Sequence, residues 1–230
     1  MWSVRRGSVE VRDRRAWAGC ATSSGPRPFS WVECRPRSGR NTVGLELDDL
    51  RGWMAGEHCL VVAPGPSAMS TPTWRYRAHW TIGCNRAVTF CEPDFAVCVE
   101  TRKNICWRVI EAHQPLFTFS HISNGPARCL RIWSDLSLWL EHSPKKLWLG
   151  MSPFYGAAVA ILLGFERIGL IGVDLTDAKY RDPVAQADWE DCWGKLMGIA
   201  EAHGKTLVNL NPKSRLAAVP AGAWKDMGKR

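Results

Sequence analysis

Asp174 follows the run Gly169-Leu-Ile-Gly-Val173, and a carboxylate leaving a buried strand can orient a ribose, accept from a substrate hydroxyl or ligate a magnesium ion. The same side chain can instead cap the next turn through the amides of Thr176 or Asp177, a purely structural use. Two other polar side chains stand in comparable positions. Asn85 closes the apolar run Thr81-Ile-Gly-Cys84, and Ser67 ends the turn Pro64-Gly65-Pro66 that follows Cys59-Leu-Val-Val-Ala63. Ser152 precedes Pro153, a residue suited to the first helical position, so the free amides of a helix start there can take an anion.

Such residues act together only if the elements behind them share one end. Ala157 to Leu163 is small, apolar and helix-forming, Gly164 supplies a stop, and Arg167 to Val173 reads as a short strand, so Ser152 to Asp174 is one complete α/β unit. Further strands are predicted at about 59–63, 80–84, 95–99, 115–119 and 205–210. Helices are predicted at 45–55, with Leu47, Leu50, Trp53 and Met54 on one side, at 103–113, and at 184–203, where Gly204 ends the last. The stretch 121–150 keeps no clear period around the turn signal Ser123-Asn-Gly-Pro126, and no repeat of fixed length recurs. Alternating strands and helices with short connections predict an α/β chain: a single Rossmann-like domain over 44–230, with a mostly parallel sheet and helices on both faces. In such sheets ligands bind beyond the carboxyl ends of the strands, so Ser67, Asn85, Ser152 and Asp174 are expected to face one crevice.

The charge of +8 is unevenly spread. Nine of the 30 basic residues are arginines between Arg5 and Arg40, against three of the 22 acidic ones, and the rest of the chain is close to neutral. Residues 1–43 are therefore expected to be a basic, disordered extension, the one place where nucleic acid or anionic lipid would bind. No signal peptide and no apolar run of membrane-spanning length is present. The nine cysteines form no Cys-x-x-Cys pair, and the six histidines form no His-x-x-x-His pair. That pattern predicts reduced core thiols in a cytoplasmic protein rather than a built-in metal centre. Most of the 13 tryptophans are expected in packing.

Four segments in register, Pro64-Gly-Pro-Ser67, Gly83-Cys-Asn85-Arg86, Ser152 to Asp174, and Asn209-Leu-Asn211-Pro-Lys-Ser214, resemble the bacterial sialyltransferases of glycosyltransferase family 42. They are also similar to the related domain of the archaeal 6-hydroxymethylpterin pyrophosphokinases, which occurs in bacterial and phage proteins. The resemblance implies a nucleotide or nucleotide sugar, CMP-type in the first case, bound by Gly65, Ser67, Asn85, Arg86, Ser152, Tyr155, Asn211 and Ser214. It implies Tyr180 as a contact to the departing phosphate. Pro64 replaces an asparagine of the sialyltransferases, which removes one polar contact and one backbone donor.

The histidine that deprotonates the acceptor in those enzymes has no counterpart between Asp174 and His203. Asp174 and Asp188 are then the candidate catalytic carboxylates, although an ordinary aspartate is a poor base at neutral pH. The pyrophosphokinase alternative needs magnesium, for which Asp174 and Asp177 are the compact acidic pair. Three function classes follow: a nucleotide-sugar-dependent glycosyltransferase, a magnesium-dependent phosphotransferase, and a nucleotide-binding or structural module without catalysis.

Overall fold

The computed structural model describes residues 50–98, 116–118, 129–131, 151–176 and 182–227. The predicted extension 1–43, the helix at 103–113 and most of 121–150 lie outside them. Seven strands form one sheet: β1 (His58–Val62), β2 (Trp80–Cys84), β3 (Phe95–Cys98), β4 (Leu116–Thr118), β5 (Cys129–Arg131), β6 (Arg167–Ile171) and β7 (Thr206–Asn209). Their order is β5-β4-β3-β2-β1-β6-β7, and every neighbouring pair is parallel. The chain is thus α/β and Rossmann-like, with strand limits close to those the apolar runs predict. β5 is the strand that no period in 121–150 reveals.

Both faces of the sheet are covered. Leu60 and Val62 point into a cluster with Ala68, Tyr76, Cys91, Ile171, Leu210 and Met227, on the side of the short helices α1 (Pro66–Met69), α2 (Thr73–Arg77) and α3 (Val88–Cys91). Val61, one residue out of phase, points to the opposite face and meets α4 (Ser152–Leu163) at Gly156. A methyl group on Gly156 would lie 2.8 Å from Cys84 Sγ and 2.9 Å from Val61 Cγ1, so glycine is what lets α4 lie this close to the strands. Eleven of the 12 residues of α4 are buried, which explains why the segment has almost no polar side chains. α5 (Pro183–Ala202) is amphipathic by contrast, burying Trp189, Cys192, Trp193, Leu196 and Ala200.

The helix predicted at 45–55 is corrected by the described part of it. Residues 51–56 form turns, because Gly52 and Gly56 take φ of +71° and +88°. The Gly52 and Met54 amides bond instead to the carbonyls of Leu162 and Leu163, and so satisfy the open end of α4. Leu50 and Met54 are nevertheless buried, as an apolar stripe requires.

Candidate functional site

A wholly parallel sheet places all its carboxyl ends on one edge. β1 lies between β2 and β6, with Val62 opposite Gly83 on one side and Ile171 on the other, so the strand order reverses between β1 and β6. The two chains leaving β1 and β6 run on in contact. Ala63 donates its amide to the Ile171 carbonyl at 2.8 Å, and Gly65 donates to Gly172 at 3.0 Å. A methyl group on Gly65 would stand 2.2 Å from the Gly172 oxygen, and one on Gly172 would stand 2.1 Å from the Ala63 oxygen. The missing side chain at Gly65 therefore admits the neighbouring backbone.

Asp174 closes the same junction. It is 5 % exposed, and its carboxylate accepts from the Ser67 amide at 2.7 Å, the Ser67 hydroxyl at 2.5 Å and Asn211 Nδ2 at 2.7 Å. The Ser67 hydroxyl oxygen accepts in turn from the Gly172 amide at 3.0 Å. Ser214 donates its hydroxyl to the Val173 carbonyl at 2.5 Å, and the Arg215 amide donates to the Asp174 carbonyl at 3.2 Å. Asn211 Oδ1 accepts from the Lys213 amide, which shapes the loop after β7. Ser67 and Asn211 thus both bond to Asp174, and Ser214 bonds to the carbonyl just before it.

Asn85 and Ser152 form a second group, at the end of β2. The Ser152 hydroxyl donates to Asn85 Oδ1 at 2.6 Å, and the Cys84 thiol donates weakly to the Ser152 carbonyl at 3.6 Å. Both side chains are buried, at 6 % and 1 % exposure. Asn85 has φ +50°, a left-handed conformation that asparagine tolerates better than most residues. Leu175, immediately after Asp174, has φ +55°, which is far less ordinary for leucine. Two of the three non-glycine residues with positive φ among the described residues therefore stand just past strand ends on this edge, the third being Glu92.

The remaining candidates are placed differently. Arg86 is exposed in the 3-10 turn Asn85–Ala87. Tyr155 is 3 % exposed and packs edge-on to Phe154 at 5.4 Å; burial pushes its hydroxyl far above the ordinary tyrosine range, so it is a core residue. Asp188 is exposed in the second turn of α5. Asp177 and Tyr180 lie outside the described residues. His203 ends α5 just before β7 begins, on the amino edge of the sheet, so it stands at the wrong end to serve this site.

Magnesium fits poorly at Asp174, whose oxygens already hold three donors, and no cluster of three potential ligands occurs among the described residues. Two other described carboxylates are also bonded to backbone. Asp182 caps α5 through the Val184 amide, and Glu190 accepts from Ala217 at 2.8 Å and Ala218 at 2.5 Å. Sequence reasoning misses the strained Leu175, since nothing in Val-Asp-Leu announces a left-handed residue. It also misses Asn209, buried with its Nδ2 unbonded among the described residues.

No family profile and no curated protein sequence matches this chain. Solved structures do. The sialyltransferase CST-II, as a variant in complex with CMP, aligns with TM-score 0.50 and 14 % identity over 73 % of this chain and 86 % of that one. CstII from Campylobacter jejuni, in complex with cytidine-5'-monophosphate, aligns with TM-score 0.47 and 16 % identity over 73 % and 84 %. At these identities the likeness is one of fold. No helix of the described residues is long and apolar enough to cross a membrane.

Proposed function

We propose that the chain binds a nucleotide at the carboxyl edge of the sheet, beside Asn85 and Ser152, and transfers a glycosyl group from a CMP-type sugar donor. The observation that carries the location is the pair of left-handed residues Asn85 and Leu175 just past β2 and β6. Strained backbone of this kind costs about 1–3 kcal/mol per residue and concentrates where ligands are held. The choice of CMP follows the motif resemblance and the CMP bound to the sialyltransferase of the same fold. Arg86, exposed beside Asn85, is a cation available to the nucleotide phosphate, with Tyr180 as the further phosphate contact that the resemblance implies.

A second reading, nucleotide binding without transfer, is favoured by the engagement of Asp174, Asp182 and Glu190 with other parts of the chain, which leaves none of the three as a ready base. A thermal-shift panel of CMP, UDP, GDP, ATP and AMP, with and without magnesium, tests the proposal. A ligand at a hundred times its Kd stabilises the native state by about 2.7 kcal/mol, a shift of several degrees for a domain of this size. A metal-independent response to CMP is expected, silence across the panel overturns nucleotide binding, and a response confined to ATP with magnesium turns the reading to phosphotransfer. Release of CMP from a CMP-sugar then separates transferase from binder.

A further inference from the structure

We infer that Asp174 is an internal anion: its carboxylate fills a three-donor cradle made by Ser67 and Asn211, locks the turn leaving β1 to the end of β6, and keeps ligand phosphate off the Gly65–Ser67 turn. The donors are the Ser67 amide, the Ser67 hydroxyl and Asn211 Nδ2, at 2.7, 2.5 and 2.7 Å, and they come from two segments that lie on either side of Asp174 in the sequence. All three are neutral. Among the described residues no cation pairs with the carboxylate, which is buried, so these hydrogen bonds are what keeps a charged group there.

The arrangement has the chemistry of a bound anion, supplied in cis. A carboxylate has about four lone-pair sites, and three are taken here. A phosphate brought to this turn would have to take the same Ser67 donors and lie against the Asp174 charge. The space is also closed, since even a methyl group on Gly65 would come within 2.8 Å of Asp174 Oδ2. Nucleotide phosphate is then held elsewhere on the edge, and Asp174 is a positioning residue that acts through Ser67 and the turn. The clause about phosphate rests on the nucleotide-binding proposal, whereas the lock does not.

Asp174→Ala removes the three carboxylate atoms and leaves a space of the size of formate, so the test is rescue by that anion in the full chain. The melting temperature of Asp174→Ala is expected to fall by roughly 5 °C or more. Sodium formate should then recover part of the loss where sodium chloride of equal ionic strength does not, and wild type should respond neither to formate nor, in any way that depends on Ser67, to inorganic phosphate. An unchanged melting temperature overturns the lock, as does equal action of chloride and formate, which would mark an ordinary loss of hydrogen bonds. Stabilisation of wild type by phosphate that disappears in Ser67→Ala overturns the exclusion of phosphate. Should Asp174→Ala not fold on expression, its refolding from urea carries the same test: a higher yield in formate than in chloride supports the cradle, and equal yields overturn it. Silence to every nucleotide with formate rescue intact would remove the proposed function and leave the lock standing.

Discussion

Gly156 of α4 and Cys84 of β2 touch across the helix–sheet interface so closely that a single added methyl group would lie 2.8 Å from the Cys84 sulfur. Cys84 precedes Asn85, and Ser152 opens the helix that carries Gly156, so this contact sets the distance over which the Ser152 hydroxyl reaches Asn85. Gly156→Ala is expected to cost about 1–3 kcal/mol by overpacking. Because the helix must lift from the strand, it should also weaken any nucleotide response more than its stability loss alone explains. Urea titration followed by a CMP titration of the folded protein checks both parts.

Asn85 carries two separable burdens, its left-handed backbone and its acceptor for Ser152. Asn85→Ala keeps the first and removes the second, for an expected loss of roughly 2–4 kcal/mol. Asn85→Gly loses the same acceptor but relieves the backbone, so it should be about 1 kcal/mol less damaging than alanine. Equal destabilisation by the two would show that the φ of +50° is not a strained conformation.

Trp193 is fully buried on α5, stacks edge-on to Phe154 at 5.4 Å, and has an indole N–H without a partner among the described residues. Trp193→Phe gives up some contact area and relieves that unbonded donor, so the two effects oppose each other. Chemical denaturation should place it within about 1 kcal/mol of wild type, whereas Trp193→Ala should cost about 3–5 kcal/mol. A phenylalanine variant as damaged as the alanine one would mean that the indole N–H is bonded after all.

Stability should fall in alkaline solution. Burial raises the thiols of Cys59 and Cys84 well above their ordinary 9.0, and it pushes the Tyr76 hydroxyl from 10.0 up to about 12. Groups whose folded pKa lies above the unfolded one stay protonated in the fold while the unfolded chain ionises. Their contribution is complete below about pH 9 and is lost as pH rises beyond it. The urea midpoint is expected to decline from about pH 9 toward pH 12, and the same thiols should resist iodoacetamide at neutral pH until the chain is unfolded. Rapid alkylation of Cys59 or Cys84 in the native protein would contradict their burial.

Local patterns account for what the sequence reveals. β1, β2, β6 and β7 are apolar runs bounded by glycine, proline or asparagine, and α4 and α5 end at Gly164 and Gly204, both with positive φ. Those signals are contained within a dozen residues. The turns at 51–56 were hidden because their stripe of Leu50, Trp53 and Met54 has helical spacing while Gly52 and Gly56 decide the backbone. The use of Asp174 was hidden for another reason. Its partner Ser67 is 107 residues away, and spacing alone cannot distinguish a carboxylate waiting for a ligand from one already satisfied by its own chain. The motif Gly-Pro-Ser likewise looks the same whether the glycine makes room for a phosphate or for the carbonyl of Gly172.

The position of β1 between β2 and β6 governs the order in which the molecule can be completed. β2 follows β1 closely, but β6 begins at Arg167, so during synthesis one side of the central strand stands open while more than a hundred further residues are added. An apolar strand with a bare hydrogen-bonding edge is the part of a nascent chain most prone to pair with the wrong partner. Parallel pairing over such a separation is also intrinsically slow. The junction of Gly65, Ser67, Gly172 and Asp174 therefore waits on β6, and the sheet's middle can close only after that long intervening stretch has been made.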